Sequence, residues 1–440
     1  MMNSRKIIVE ILDNVIKKGA YSNIEINKRF KNTNIDDKDR GLITEVVYGT
    51  LKNKKTIDII LGSFVSDIKD IDDKVVNILR SAIYQIKYLD RVPSYAIVNE
   101  SVNLAKIRAK SLSSFVNGVL RNYLRNLDKD YKKGLTDMEV LEYYFSFDSW
   151  MIKLFLKQYG KENGIKILRG LNETPYITVR TNTLKINKEE LLKDLIEEGY
   201  DATEGYISKD AIIIKKGSSI EKNSLYKKGM FTVQDESAML VSDSLDINEG
   251  ETVLDLCSAP GTKGTHVSEI LNNTGKVLAF DIHDHKLNLI KDNARRLGIS
   301  NIEVNLGDAS KFNREYLNMA DRILLDVPCS GLGIIRKKPE IKWTKTSKDL
   351  KDIEKTQRVI LENSWRYLKK GGKLIYSTCT LNKDENEEII NWFSRKHEDC
   401  EVEEIKLSKR DNIIYNENGT VTILPNKYMD GFFIARLRKK

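Results

Sequence analysis

Two cysteines that each follow a strand-like segment are the residues best suited to chemistry in this chain. Cys329 lies in residues 325–331 (LDVPCSG) and Cys379 in residues 376–380 (YSTCT). Upstream of both, residues 255–264 (DLCSAPGTKG) run from another strand-like segment into a glycine-containing turn. An ordinary thiol has a pKa of about 8.5, so a nucleophilic cysteine needs activation by its surroundings. The two thiols in this order suggest covalent attack on a pyrimidine ring.

The chemistry that such a pair supports is methylation at a ring carbon. Carbon 5 of cytosine is a poor nucleophile, but a thiolate added at C6 turns it into an enamine carbon that can accept a methyl group from a sulfonium. Elimination then requires a base for the C5 proton and a group that holds the ring at N3 and N4. If strand ends meet above one sheet, Cys379, Cys329 and Asp326 lie within reach of one ring.

The other cysteines and the histidines point to no reaction. Free cysteines are usually buried small hydrophobes, and we interpret Cys257 in that way and Cys400 as incidental. No C-x-x-C spacing occurs, so we expect no metal site, and none of the four histidines is assigned to catalysis. Lys263 reaches an acid or the substrate, or it is a plain surface lysine.

Two acidic residues at strand ends indicate a nucleoside-containing cofactor. Gly261 and Gly264 leave room for a ligand near the backbone, but the turn is not the G-x-G-x-x-G fingerprint of nicotinamide cofactors. Asp281 ends the second predicted strand and can take both ribose hydroxyls, and Asp308 follows the third and can accept from an adenine amino group. The set suits S-adenosylmethionine; the alternative is that each Asp caps a helix.

The elements that must position these residues form three regions. Residues 1–130 carry helical apolar spacing and predict an all-α bundle. Residues 141–235 combine two strand-like runs with one amphipathic helix and predict a small α+β segment. Residues 236–440 alternate strands and helices, which predicts an α/β domain with a parallel sheet.

Charge and composition narrow the class of protein. The net charge is +9, and residues 1–140 hold 25 Lys and Arg against 18 Asp and Glu. This excess indicates either a polyanion-binding module or a solvated basic helical surface. No apolar run reaches the roughly 18 residues of a membrane span, and the first residues lack the form of a signal peptide. We therefore expect a cytoplasmic protein with free thiols.

With these residues in place, the chain resembles the Nop/Sun-type RNA cytosine-5 methyltransferases, most closely their bacterial branch that acts on 16S ribosomal RNA. The resemblance covers nearly the whole chain. It is carried by the Pro328-Cys329 and Thr378-Cys379 motifs and by three further segments: residues 40–50 (RGLITEVVYGT), 116–122 (VNGVLRN) and 229–238 (GMFTVQDESA).

The resemblance implies a fold and a set of roles. It implies an antitermination-factor-like helical RNA-binding domain, an RNA-binding or linking middle segment, and a Rossmann-like class I S-adenosylmethionine-dependent methyltransferase domain. Cys379 would be the nucleophile, Cys329 would assist product release, and Asp326 would stabilise the ring. Thr262 stands where the family often has glycine, and Val327 where alanine is frequent. The implied cofactor-binding residues are Cys257, Ser258, Ala259, Pro260, Gly261, Thr262, Lys263, Asp281, Asp308 and Asp326.

Three other readings stay open at this point. In a DNA cytosine-5 methyltransferase the Pro-Cys cysteine, here Cys329, would be the nucleophile. A transfer RNA methyltransferase would use the same chemistry on another RNA. A catalytically idle RNA-binding or assembly protein would not bind S-adenosylmethionine. The expected partner is 16S ribosomal RNA, naked or in a partial small subunit, with no membrane contact and a monomeric protein.

Overall fold

A computed structural model describes residues 4–32 and 35–440. The chain divides into two compact units. The first holds the described residues up to Asn172 together with Ile335–Lys345, and the second holds Glu173–Ile334 and Thr346–Lys440. Among the described residues, no helix combines the length and the apolar character needed to cross a membrane.

The first unit is helical. The apolar spacing predicts helices for residues 1–130, and the unit continues beyond them as far as Asn172. Its core consists of aliphatic side chains from several helices, among them Ile8, Val47 and Leu79, which are fully or almost fully buried. A capping box at Thr136 and Glu139 starts one of the later helices. The helices are α1 (Ser4–Lys18), α2 (Ser22–Asn32), α3 (Asp37–Lys52), α4 (Lys54–Leu61), α5 (Val76–Tyr88), α6 (Ser94–Arg108), α7 (Ser113–Leu124), α8 (Asp137–Phe145) and α9 (Ser149–Gly170).

Within the described part of the chain, the strands form two sheets, and all of them belong to the second unit. Its strands are β1 (Ile177–Thr181), β2 (Asp201–Glu204), β3 (Ala211–Lys216), β4 (Phe231–Val233), β5 (Thr252–Asp255), β6 (Lys276–Asp281), β7 (Ile302–Leu306), β8 (Ala320–Asp326), β9 (Leu368–Thr378), β10 (Cys400–Glu403), β11 (Ile413–Tyr415), β12 (Val421–Ile423) and β13 (Phe432–Lys439). The remaining helices of the chain are α10 (Lys188–Glu197), α11 (Ser224–Lys227), α12 (Glu236–Asp243), α13 (Thr262–Ile270), α14 (Asp284–Leu297), α15 (Ile341–Thr344), α16 (Ser347–Tyr367) and α17 (Glu387–Lys396).

A short segment downstream of Cys329 belongs to the helical unit. Ile335–Lys345 includes α15 and lies inside the predicted catalytic region 236–440, but it belongs to the helical unit, where Ile335, Ile341 and Lys342 are buried. The ammonium of Lys342 donates to the carbonyl oxygens of Lys52 and Ser146, each over 3.0 Å, and Trp343 Nε1 donates to the Leu51 carbonyl over 2.7 Å. These partners are far away in sequence, so no local pattern predicts that Ile335–Lys345 packs with the helical unit.

The smaller sheet forms the α+β segment predicted between the helical and catalytic regions. Its strand order is β2-β3-β1-β4, and all pairs are antiparallel. Helix α10 packs on it through Leu191 and Leu195, which are fully buried with Val179 and Ile212 of the sheet. Gly199, at a positive φ of 86°, follows α10 and allows the chain to turn there.

The larger sheet has nine strands and a parallel centre. The order along it is β11-β12-β13-β9-β8-β5-β6-β7, with β10 added on β13. Strands β5 to β9 pair in parallel, whereas β13 is antiparallel to β9. The chain leaves β5 towards β6 on one side and later returns to β8 on the other. This reversal of strand order opens a crevice at the carboxyl end of β5, where ligands of such sheets bind.

Both faces of this sheet are buried because neighbouring residues on each strand point in opposite directions. Val253 and Ile375 lie in the core on one face, and Leu254 and Leu374 lie in the core on the other. The central strands accordingly carry near-continuous apolar runs, and polar residues follow these runs at the carboxyl ends of the strands, along one edge of the sheet. That edge carries Asp255, Asp281, Asp326 and Thr378, the last residues of β5, β6, β8 and β9.

Candidate active site

The loop between β5 and α13 is held open by glycines. Gly261 has a φ of 94°, a conformation that favours glycine, and a Cβ there would lie 3.0 Å from Ile290 Cγ2. A Cβ on Gly264 would lie 2.7 Å from an Asp255 carboxylate oxygen. Asp255 is almost completely buried, and burial raises its pKa to about 7. The loop thus brings backbone close to a buried acid at the crevice.

Asp281 and Asp308 lie beside each other at the ends of β6 and β7. The backbone N–H of Gly307 donates to the carbonyl oxygen of Asp281 over 3.1 Å. The carboxylate of Asp281 accepts from the N–H groups of Ala259 (3.2 Å) and His283 (2.9 Å), so it also fixes the turn after β5. The acids and the glycine turn supply hydrogen-bond acceptors and open backbone at the crevice, a combination that fits the hydroxyl and amino groups of an adenosyl cofactor such as S-adenosylmethionine.

Asp308 also has the local contacts that the helix-capping alternative anticipated. Its carboxylate accepts from the Ser310 hydroxyl (2.6 Å) and from the Ser310 N–H (3.0 Å). These bonds lower the pKa of Asp308, the hydroxyl contributing most. Asp308 is therefore ionised and oriented by its own turn, and the residues after it form no regular α-helix.

Lys263 reaches an acid rather than solvent. Its ammonium lies 2.6 Å from Asp326 Oδ2, and the other oxygen of Asp326 accepts from the Ser377 hydroxyl over 2.9 Å. Burial alone would lower the pKa of Lys263, but the carboxylate of Asp326, with smaller effects from Cys379 and Asp255, outweighs burial and holds the pKa above its usual value. The structure thus places Asp326 in an oriented ion pair between the loop after β5 and the end of β9.

The two motif cysteines are brought together. Strands β8 and β9 are parallel neighbours with Asp326 opposite Ser377, so the turns that follow them lie side by side. The sulfur atoms of Cys329 and Cys379 are 3.4 Å apart, and both thiols are partly exposed and free. Contact with Cys379, followed by burial, holds the pKa of Cys329 well above its usual value. One thiol is thus kept protonated beside the other.

The remaining cysteines and histidines occupy other surroundings. Cys257 is half-buried and packs against the main sheet core, and burial raises the pKa of its thiol well above the usual value. Cys400 begins β10, and burial raises its pKa to about 12. His266 is buried 3.5 Å from Asp243, and His397 contacts Glu362.

Two buried charged residues near the site, Arg180 and Glu385, carry no mark in the sequence that predicts their burial. Arg180 of β1 is fully buried and makes a bidentate ion pair with Glu269 of α13, at 2.9 Å for each bond. Glu385 is fully buried beside the cysteine turns. Glu385 lies in the polar run 382–388 (NKDENEE), which has the composition of a solvated helix start, so no sequence signal marks its burial.

Three family models match successive parts of the chain. Residues 2–125 match the NusB family, residues 147–221 the ferredoxin-like domain of RsmF/B-like methyltransferases, and residues 242–438 the 16S rRNA methyltransferase RsmB/F family. The predicted order of helical bundle, small α+β segment and Rossmann-like domain is thereby confirmed.

Whole-length relatives agree with these models. The probable ribosomal RNA small subunit methyltransferase B of Bacillus subtilis (strain 168) is 39% identical, covering 99% of this chain and 98% of the relative. The ribosomal RNA small subunit methyltransferase B of Proteus mirabilis (strain HI4320) is 31% identical, covering 100% and 99%.

Solved structures give the same result. PH0851 superposes with a TM-score of 0.83 at 28% identity, over 100% of this chain and 99% of that one. A methyltransferase homologue from Pyrococcus horikoshii gives 0.61 at 27% identity, over 70% and 100%. NSun6 from the same organism, solved with the S-adenosylmethionine analogue SFG, shares the fold at 24% identity, with a TM-score of 0.61 over 68% and 99%. The chain belongs to the family of ribosomal RNA small subunit methyltransferases B, whose methyltransferase domain uses S-adenosylmethionine.

Proposed function

We propose that this protein methylates C5 of a cytosine in 16S ribosomal RNA through a covalent bond between Cys379 and C6 of the ring. The observation that carries the proposal is the pair of sulfur atoms 3.4 Å apart at the ends of neighbouring parallel strands. A second thiol at this distance from a nucleophile can take part in the same reaction at one ring. The names of the whole-length relatives support ribosomal RNA of the small subunit as the substrate.

The cofactor would lie over the glycine turn. We propose that the loop Cys257, Ser258, Ala259, Pro260, Gly261, Thr262 and Lys263 holds it together with Asp281, Asp308 and Asp326. Asp281 would take the ribose hydroxyls, and Asp308 would accept from the adenine amino group. S-adenosylmethionine supplies an electrophilic methyl group on a sulfonium, which needs no activation by the protein beyond positioning.

Three side chains, those of Cys379, Cys329 and Asp326, would carry the reaction. The thiolate of Cys379 would form the S–C6 bond, and the electron pair of the C5=C6 double bond would form the new bond from C5 to the methyl carbon. The bond between that carbon and the sulfonium would break with its electron pair left on sulfur, so that a neutral thioether departs. Asp326, oriented by Lys263 and Ser377, would hold the ring at N3 and N4. Cys329 as thiolate then takes the C5 proton, the C5–H pair restores C5=C6, and the S–C6 pair returns to Cys379.

The electrostatics of the thiol pair favour this division of roles. The largest influence that raises the pKa of Cys329 is its contact with Cys379, and the charge of Cys379 adds to it. Once Cys379 is bonded to C6, its sulfur is a neutral thioether that no longer has that effect. Cys329 would then ionise more readily, at the step where a base is needed.

The helical region would bind the RNA. We propose that residues 1–130 recognise phosphates and shape, that residues 141–235 form a smaller RNA-binding or linking domain, and that residues 236–440 hold the chemistry. The basic excess before residue 140 supports the first assignment. The target cytosine must leave its stack to reach the thiols, because the attacked ring atoms are inaccessible within a helix. Such an enzyme would act as a monomer in the cytoplasm, on naked 16S RNA or on a partial subunit.

A denaturing gel for protein–RNA adducts tests the proposal. Wild-type, Cys329→Ala and Cys379→Ala proteins are incubated with 16S ribosomal RNA and S-adenosylmethionine. An adduct that accumulates in Cys329→Ala and is absent from Cys379→Ala is expected, because the first variant attacks but cannot release. An adduct in Cys379→Ala instead would reverse the two roles, as in DNA cytosine-5 methyltransferases.

Transfer RNA in a parallel reaction separates the remaining alternatives. Methyl transfer and adducts with transfer RNA alone would overturn the ribosomal substrate while keeping the chemistry. Absence of adduct and of methyl transfer with both RNAs, together with no binding of S-adenosylmethionine, would leave a protein that binds RNA without catalysis.

A further inference from the structure

A buried carboxylate joins the two cysteine turns. Glu385 ends a short 3₁₀ helix, Lys383–Glu385, that follows the Cys379 turn, and its side chain is fully buried. One carboxylate oxygen accepts from the backbone N–H of Ser330 over 2.8 Å, and the other accepts from the Ser330 hydroxyl over 2.5 Å. Ser330 directly follows Cys329, so Glu385 binds the Cys329 turn through both hydrogen-bond donors of one residue.

Two further donors complete the carboxylate's shell. Gln357 of α16 donates to Glu385 over 3.2 Å and, from the same amide nitrogen, to the carbonyl oxygen of Pro328 over 3.0 Å. Asn382, from the Cys379 side, donates over 3.1 Å. The residues immediately before and after Cys329 are thus both fixed, and they are tied to the segment after Cys379.

The turns are also joined directly. The hydroxyls of Ser330 and Thr380, the residues that follow the two cysteines, are 2.7 Å apart. Asn386, next to Glu385, accepts from the Thr378 hydroxyl over 2.6 Å and donates to the Thr380 carbonyl over 3.0 Å, so it brackets Cys379. The sulfur–sulfur distance of 3.4 Å is therefore set by a network in which Glu385 has the most bonds to the Cys329 turn.

The chemistry of this network requires a carboxylate. All four groups that donate to Glu385 are neutral, and two approach each oxygen. A carboxylate offers acceptor sites on both oxygens, whereas a glutamine amide would turn an N–H₂ group towards two of the donors. Burial raises the pKa of Glu385, because taking the charged carboxylate out of water costs free energy. An apolar side chain could fill the same space without that cost.

We propose that Glu385 is a positioning residue that holds Cys329 against Cys379 so that the C5 proton can be removed and the product released. The role of Glu385 in product release rests on the proposed function, because it presupposes the covalent bond between Cys379 and the ring. The geometric part, the placement of one thiol by Glu385, is independent of any reaction. Two experiments separate these parts.

The first experiment measures thiol proximity without RNA or cofactor. The full-length protein is oxidised with diamide, which takes up two hydrogen atoms as the Cys329 and Cys379 thiols become a disulfide, and the Cys329–Cys379 peptide pair is followed by mass spectrometry. Glu385→Gln should slow its formation about tenfold or more, since a displacement near 1 Å is enough for such losses. Glu388→Gln, an exposed acid on the following helix, is the matched control and should react like the wild type.

The second experiment measures release. In single turnovers with 16S ribosomal RNA, Glu385→Gln should methylate C5 but retain the protein–RNA adduct, as expected for Cys329→Ala, whereas Glu385→Asp, which keeps both acceptor oxygens, should partly restore release. A residue needed only for folding would lower attack and release together. Thermal melting and cofactor affinity of each variant are recorded beside these rates.

The outcomes distinguish the two proposals. An adduct in Cys329→Ala with normal release and normal disulfide formation in Glu385→Gln would overturn the role of Glu385 and leave the proposed function intact. Slow disulfide formation in Glu385→Gln with no adduct in any variant would support the placement of the Cys329 thiol by Glu385. The same result would overturn both the proposed function and the role of Glu385 in release. If Glu385→Gln fails to fold, Ser330→Ala, which removes one donor, must slow disulfide formation and release, and a wild-type result there would overturn the inference.

Discussion

The guanidinium of Arg180 donates a hydrogen bond to the backbone carbonyl oxygen of Thr262 over 2.7 Å. Arg180 belongs to β1 of the small sheet, and Thr262 is the first residue of the helix that follows the cofactor loop. The same guanidinium pairs with Glu269 in that helix, and both side chains are buried. The ferredoxin-like domain therefore contributes directly to the position of the loop that the cofactor would contact.

Removing Arg180 should destabilise the protein and weaken cofactor binding. Arg180→Met leaves the Glu269 carboxylate buried without its partner, a change that costs about 3–5 kcal/mol. Urea unfolding of the full chain and calorimetric titration with S-adenosylmethionine measure the two effects. Lys193→Met, which breaks an exposed pair with Glu197, is the control and should change neither. Wild-type stability in Arg180→Met would contradict the structural role of the pair.

The buried acid of the cofactor loop should make stability depend on pH. The pKa of Asp255 rises from an ordinary 3.8 to about 7 in the folded protein, so between these values the folded state holds a proton that the unfolded state has released. The stabilisation that protonated Asp255 gives the folded state is complete below pH 3.8 and is lost as the pH rises to about 7. The free energy of unfolding falls over this range by at most about 1.4 kcal/mol per pH unit.

Asp255→Asn should flatten that dependence. Urea midpoints at pH 5 and pH 8 should differ less in the variant than in the wild type, because the amide does not titrate. Asp292→Asn changes an exposed acid on α14 and should keep the wild-type difference. An unchanged pH dependence in Asp255→Asn would mean that another group is responsible.

Lys342 should be important for the stability of the helical unit. Besides the Lys52 and Ser146 carbonyls, its ammonium contacts Asn172 Oδ1 at 2.8 Å and lies 3.8 Å from the centre of the Phe147 ring. Lys342→Met buries these acceptors without a donor and should cost about 3 kcal/mol in the free energy of unfolding. Lys348→Met, at an exposed position of α16, should be neutral in the same urea titration. Equal stability of the two variants would argue against the role of Lys342.

Exposed basic residues on α6, α7 and the segments beside them should govern RNA affinity. Replacing Lys106, Lys110, Arg121 and Arg125 by Glu should weaken binding to 16S ribosomal RNA and reduce its salt dependence, because fewer counterions are released. Filter binding at several salt concentrations measures both, and cofactor affinity should stay the same. A Lys406→Glu/Lys409→Glu protein, changed in the second unit, is the control. If both proteins lose affinity equally, the helical unit is not the principal RNA-binding surface.

Local patterns were enough to predict the type and order of the elements. The turn after β5, the alternation of strands and helices, and the cysteines after β8 and β9 are written in short stretches of sequence, where apolar period and turn residues determine backbone conformation. The strand-end rule also placed Cys329, Cys379 and Asp326 at one edge of the sheet.

Contacts between residues far apart in the sequence follow from the tertiary structure alone. Glu385 meets Ser330, Arg180 meets Glu269, and Lys342 meets Lys52 across long separations in sequence. Glu385, Arg180 and Lys342 are charged residues, a type that by composition alone belongs on the surface. The burial of each is tolerated because the folded chain brings several hydrogen-bonding partners to one point, and no pattern within a single element records that convergence.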